Sequence, residues 1–101
     1  MFTIERTRQY DEWINNLKDK RARARIIARI DRLAQGNAGD HKNLGGGLSE
    51  LRIPYGKGMR VYYTRHGERI YLLLGGGDKS TQPKDIEVAR KVLEAAREEQ
   101  S

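Results

Sequence analysis

A chain of 101 residues with 37% apolar content has material for one hydrophobic core and too little for two, so a single domain over residues 1–101 is expected. With no cysteine and only two histidines, disulfides, thiolate metal sites and multi-histidine metal sites are excluded, and neither metal nor cofactor is expected. Lys and Arg outnumber Asp and Glu by 20 to 14, and this net charge of +6 favours a polyanionic partner, either nucleic acid or an acidic protein.

No apolar run approaches the roughly 20 residues of a membrane span. The opening stretch MFTIERTRQYDEW carries charge where a signal peptide needs an apolar segment, so a cytoplasmic location is expected. Phe2 and Ile4 alternate with Thr3 and Glu5, which predicts a short strand over residues 2–6 at one edge of a sheet. Thr7 can cap a helix in which Tyr10, Trp13, Ile14 and Leu17 recur at three-and-four spacing, ending near Lys18; among such neighbours Trp13 reads as a core anchor. Asp19 is the expected N-cap of a second helix over residues 20–35, terminated by Gly36, with Ile26, Ile27, Ile30, Leu33 and Ala34 as its buried stripe. Lys18, Lys20, Arg21, Arg23, Arg25, Arg29 and Arg32 surround that stripe and read as a solvated basic face. The two helices form an expected hairpin covering one side of the sheet.

Residues 36–47, GNAGDHKNLGGG, show no periodicity and read as an irregular connector; no Gly-Lys-Ser/Thr follows at the spacing of a phosphate-binding loop. Within it Lys42 is the residue a loop could carry over the sheet, and His41 reads as an exposed loop histidine. Residues 48–63, LSELRIPYGKGMRVYY, alternate with period two as a hairpin. Leu51, Ile53, Met59, Val61 and Tyr63 fall on an apolar face; Glu50, Arg52, Arg60 and Tyr62 fall on a polar one. A symmetric loop over residues 54–58 pairs Ile53 with Met59, Arg52 with Arg60 and Glu50 with Tyr62. Like charges directly opposite on a sheet repel. The arginines therefore either bind an anion between them, or splay into water or pair with Glu50. Residues 64–68 read as a turn with His66-Gly67 at its tip. The strand over residues 69–74 is then expected to set Tyr62 opposite Tyr71 and Val61 opposite Leu72. Gly75-Gly76-Gly77 and the residues up to Pro83 read as a turn outside regular structure. A final helix follows, with Pro83 in its first turn and Ile86, Ala89, Leu93 and Ala96 as its apolar stripe; fraying is expected past Ala96.

The order and spacing of several segments resemble the RelE/HigB-type toxins of bacterial toxin–antitoxin modules, closest to the short HigB-like branch of the RelE/ParE superfamily. The matching segments are Gly36-Asn37 with Gly39-Asp40 and Lys42, Glu50-Leu51-Arg52, Tyr55-Gly56 with Gly58, Arg60-Val61-Tyr62-Tyr63, and residues 72–82 leading to Asp85-Ile86. The resemblance covers nearly the whole chain. It implies an α+β fold, with a small antiparallel sheet of about four strands, an N-terminal helical hairpin on one face and a C-terminal helix. It also implies metal-free mRNA cleavage, generally on the translating ribosome, in which the ribose 2′-hydroxyl attacks the adjacent phosphate. Such chemistry needs a proton acceptor, positive charge on the pentacoordinate phosphate and a donor to the leaving oxygen. Arg60 matches the family's phosphate-stabilising arginine, with Arg52 as a second. Lys79 matches the basic position after the last strand, and Gln82 positions substrate beside it. Lys42, Lys57 and Tyr71 complete the expected RNA-binding set. Relatives of this kind use a tyrosine near the C-terminus, and no tyrosine follows Tyr71 here. The proton acceptor stays open among Glu50, Tyr62 and Tyr71, with Glu50 equally a salt-bridge partner of Arg52. The implied partner is a small helix-turn-helix antitoxin. The alternatives are a ParE-like inhibitor of DNA gyrase that catalyses nothing, and an RNA-binding module without a reaction.

Overall fold

The computed structural model describes residues 1–99. In chain order the elements are β1 (Thr3–Arg6), α1 (Arg8–Asn16), α2 (Lys20–Ala34), β2 (His41–Gly45), β3 (Leu48–Ile53), β4 (Met59–His66), β5 (Ile70–Asp78), a 3-10 turn (Lys79–Thr81) and α3 (Gln82–Glu98). The strands form one sheet of order β1-β5-β4-β3-β2. β1 runs parallel to β5 and every other pair is antiparallel. The fold is therefore α+β with a five-stranded mixed sheet, where about four antiparallel strands were expected.

Both expected caps are present. The Thr7 hydroxyl accepts from the Tyr10 N–H and also donates to the Leu73 carbonyl, tying the start of α1 to β5. The Asp19 carboxylate accepts from the N–H groups of Arg21 and Ala22. The helical hairpin packs Tyr10, Ile14, Ile26, Ile30 and Leu33 onto Leu51, Ile53, Val61, Tyr63 and Leu73. The opposite face is not the open polar surface that the alternation of the central hairpin suggests. α3 crosses it, and Ala89 and Leu93 close a second core over Leu48, Tyr62 and Leu74. Arginines from the middle and the end of α3 fasten it there: Arg90 donates to the carbonyls of Leu44 and Gly45, and Arg97 to that of Gly46.

Four further expectations are corrected. Residues 41–45 are not an irregular connector but β2, which brings Lys42 opposite Glu50. The β3–β4 register is the expected one, with Arg52 opposite Arg60 and Glu50 opposite Tyr62. In the β4–β5 pair, however, Tyr62 faces Gly75 and Val61 faces Gly76, while Tyr71 faces Arg65. A turn longer than two residues and a bulge between Tyr62 and Tyr63 produce that shift. Tyr71 accordingly packs on the helical-hairpin side, 4.6 Å from the Phe2 ring and 5.5 Å from that of Tyr63. Finally, Gly75-Gly76-Gly77 belong to β5. A Cβ on Gly76 would overlap the Trp13 indole, and one on Gly77 would overlap the Asp85 carboxylate. The glycines thus let α1 and α3 close against opposite faces of one strand. α3 itself continues past Ala96 to Glu98.

Candidate functional site

The site forms where the first turn of α3 meets β3 and β4. Arg52 and Arg60 stand side by side on paired strands, an arrangement that repulsion alone would disfavour. Glu50, two residues before Arg52 and so on the same face, resolves it. Its carboxylate is fully buried and accepts from Arg52 Nε at 3.0 Å and from Gln82 Nε2 at 3.1 Å, with Arg60 Nε at 3.8 Å. Burying a carboxylate is costly unless it is paired and hydrogen-bonded in this way. The hydrogen bond orients the Arg52 guanidinium, while Arg60 Nε is an ion-pair neighbour of the carboxylate with no hydrogen-bond partner among the described residues. The Arg52 side chain is 36% exposed and that of Arg60 13%, so both reach the surface from a common anchor.

Arg60 is held a second time, by Nη1 donating to the Gly58 carbonyl at 3.1 Å. Gly58 has a φ of +83°, and a Cβ there would lie 3.2 Å from Arg60 Nη1 and 3.8 Å from Lys79 Cβ. A glycine at this position therefore satisfies the turn and leaves room for both cations. Lys79 is exposed at the start of the 3-10 turn. Asp78 caps that turn, accepting from the Ser80 N–H and hydroxyl; the hydroxyl contact chiefly holds the Asp78 carboxyl below its ordinary pKa, and Lys57 adds to the effect. Lys42, exposed on β2 and opposite Glu50, shares this side of the sheet.

Of the sequence-expected residues, Arg52, Arg60, Lys79, Lys57, Gln82 and Glu50 gather here, with Lys42 on the flank. Tyr71 does not, since it lies on the other face of the sheet. Tyr62 is on the correct face but fully buried under α3, and its hydroxyl has no hydrogen-bond partner among the described residues. Burial, with Glu50 and Asp85 adding repulsion, pushes its pKa well above the ordinary tyrosine value, so at neutral pH it stays protonated.

Residues to which the sequence assigned no role at the site also contribute. Arg29, read there as part of the solvated face of α2, turns inward. Its Nη1 donates to the Arg52 carbonyl at 2.6 Å and its Nη2 to the carbonyls of Ala38 and Asp40 at 2.9 and 3.1 Å. The backbone under Arg52 is thereby fixed from α2. The Tyr55 hydroxyl donates to Asp19 at 3.1 Å, and Arg25 lies 5.0 Å from the Tyr55 ring, so the loop carrying Lys57 is tethered to the start of α2. Asp85 sits one helical turn after Gln82, its carboxylate over Gly77 and accepting from the Thr81 hydroxyl. In the sequence it stands out by the three-residue spacing that puts it on the face of Gln82 and by its place in the matching segment that ends in Asp85-Ile86. A groove of about 720 Å³ lined by Ile4, Tyr10, Ile27 and Ile30 lies against the helical hairpin and shares no residue with the cationic cluster.

The arrangement can hold one or two oxyanions on oriented guanidinium groups at an open surface, with ammonium groups at its margin. Among the described residues no helix is long and apolar enough to cross a membrane. The sequence model of the family described as Phage derived protein Gp49-like (DUF891) matches residues 12–100. A protein of Haemophilus influenzae (strain ATCC 51907 / DSM 11121 / KW20 / Rd), itself described only as uncharacterized, is 49% identical over 87 residues, covering 86% of this chain and 88% of its own.

Proposed function

Because the chain belongs to the phage-derived Gp49-like family, part of the RelE/ParE-type toxin superfamily, we propose that it is the toxin of a type II toxin–antitoxin module of HigB-like type. In this reading it acts in the cytoplasm as a metal-free mRNA endoribonuclease on translating ribosomes. The observation that carries the reading is the cross-strand pair Arg52 and Arg60, oriented from below by buried Glu50 and bordered by Lys79. A gyrase-binding surface needs charge; it does not need two guanidinium groups paired across strands with a single buried carboxylate.

In this mechanism Arg60 and Arg52 bind the nonbridging oxygens of the scissile phosphate and stabilise the charge that grows there in the pentacoordinate state. Lys79 donates a proton to the departing 5′-oxygen. Lys42 and Lys57 hold flanking phosphates, and Gln82 keeps the floor of the site in place through Glu50. Glu50 acts as a positioning residue: its oxygens are occupied by the groups it orients, and it has no exposed surface from which to take a proton. The partner is a small antitoxin, of helix-turn-helix type, whose acidic or apolar segments cover the cations.

Controlled expression in a bacterial host tests this. Growth arrest should coincide with cleavage of translated transcripts, mapped by primer extension, and Arg60→Ala should remove both while the protein accumulates in folded form. Intact transcripts together with inhibited gyrase supercoiling would replace this reading with the ParE-like one.

A further inference from the structure

We propose that Asp85 is the proton acceptor of this site, taking the proton from the ribose 2′-hydroxyl; the inference rests on the ribonuclease reading above. Three alternatives lose their claim on geometry. Glu50 is buried and engaged by Arg52 and Gln82. Tyr62 is sealed beneath α3, and Tyr71 is on the opposite face of the sheet. Asp78 is engaged as the cap of the 3-10 turn by the Ser80 N–H and hydroxyl, which leaves the carboxylate supplied by α3.

Its placement follows from local structure. Gln82 and Asp85 lie on the stripe of α3 that continues through Ala89 into the second core, so both point at the sheet. Gln82 reaches down to Glu50. Asp85 comes to rest over Gly77, and any side chain at that position would occupy the space its carboxylate takes. Gly77 is the register partner of Arg60. Directly paired positions on adjacent strands hold their Cβ atoms about 4.5–5.5 Å apart on one face. The carboxylate therefore stands next to the stem of the phosphate-binding arginine, within the span of one nucleotide. The Thr81 hydroxyl donates to Oδ2, which fixes the group and leaves Oδ1 for substrate. Among the described residues Asp85 forms no ion pair, whereas Glu50 forms two.

The step balances without a further reactant. Asp85 takes the 2′-hydroxyl proton as O2′ forms its bond to phosphorus; the P–O5′ bond breaks; and the 5′-oxygen takes a proton from the Lys79 ammonium. The products are a 2′,3′-cyclic phosphate and a 5′-hydroxyl, and exchange with water resets Asp85 and Lys79. Arg60 thus lies between Gly77, over which the Asp85 carboxylate sits, and Gly58, beside which the Lys79 side chain starts.

The test uses the whole chain with ribosomes programmed with a short mRNA, under single-turnover conditions. Asp85→Asn should lower the cleavage rate by about 10²-fold or more, the usual contribution of a positioned base. Its affinity for the same mRNA carrying a 2′-deoxy substitution at the cleavage position, and its melting temperature, should stay near wild type. A substrate with sulfur in place of the bridging 5′-oxygen needs no leaving-group proton, so it should rescue Lys79→Ala and leave Asp85→Asn slow. Thr81→Val, which keeps the carboxylate but removes its donor, should slow cleavage about tenfold even if Asp85→Asn fails to fold. If Asp85→Asn or Thr81→Val cleaves at the wild-type rate while Arg60→Ala is inactive, the role of Asp85 is overturned and the ribonuclease reading stands. If wild-type protein leaves the mRNA intact, that reading and this inference fall together.

Discussion

Replacing Glu50 by alanine probes the element on which the cationic site is built. The carboxylate has no exposed surface and is engaged by Arg52 Nε at 3.0 Å, Gln82 Nε2 at 3.1 Å and Arg60 Nε at 3.8 Å. Removing one partner of a buried ion pair costs about 3–5 kcal/mol because the other charge is left uncompensated. Here the two arginines differ. Arg52, with its side chain 36% exposed, can turn into water, whereas Arg60 at 13% cannot. The low end of the range applies, about 3 kcal/mol, a large share of the 5–15 kcal/mol that holds a typical domain together. At about 4–8 °C per kcal/mol for a domain of this size, the melting temperature should fall by on the order of 15 °C. Urea denaturation and calorimetry measure both quantities. Glu50→Gln separates positioning from proton transfer: it keeps an acceptor for Arg52 and should retain cleavage within about tenfold, a loss comparable to one charged hydrogen bond. A Glu50→Ala variant within about 0.5 kcal/mol of wild type would refute the stability argument. A well-folded Glu50→Gln whose cleavage falls far more than about tenfold would contradict a purely positioning role for Glu50.

Two more outcomes follow from the same geometry. Tyr62→Phe removes a buried hydroxyl that has no partner among the described residues, so it should leave stability unchanged or raise it by about 1 kcal/mol, with cleavage intact; a destabilisation above about 1 kcal/mol in urea would mean the hydroxyl is satisfied. Asp19 and Asp78 have folded-state pKa values held below the ordinary carboxylate value of 3.8, Asp19 chiefly by the Ala22 N–H and Asp78 chiefly by the Ser80 hydroxyl. For depressed carboxylates the stabilisation is present above the unfolded-state value and is lost as pH falls through the folded one. Stability should therefore decline below about pH 4, and Asp19→Asn should flatten that decline, as read from urea midpoints across the acid range; an unchanged acid limb in the variant would contradict the role given to its cap.

Much of this molecule is legible in the sequence where local rules and tertiary packing agree. The β3–β4 register follows from strict alternation and a symmetric loop, so Arg52 opposite Arg60 could be read directly. Thr7 and Asp19 announce their helices by cap chemistry alone. Most readings that failed did so because a contact between distant segments overrides local preference. Gly75-Gly76-Gly77 has the composition of a turn, yet it extends β5 because Trp13 and Asp85 occupy the space that side chains would take. The β4–β5 register moved because a bulge leaves no mark in the alternation. Leu48, of the same parity as Glu50 and Arg52, was the one apolar residue in β3 that signalled a second core on the supposedly polar face. Arg29 was indistinguishable from its solvated neighbours until α2 was placed against the end of β3. Asp85 escaped for a related reason: its significance depends on a glycine two elements away in the sheet.

The central claim is that the paired arginines over Glu50 hold a phosphate of RNA that the protein breaks. It is tested most directly by incubating purified protein with ribosomes translating a defined mRNA and analysing the new ends. A discrete cleavage leaving a 5′-hydroxyl and a 2′,3′-cyclic phosphate is expected, reduced by at least about 10²-fold in folded Arg60→Ala. Full-length mRNA after incubation with wild-type protein, or cleavage at an undiminished rate by Arg60→Ala, would contradict it.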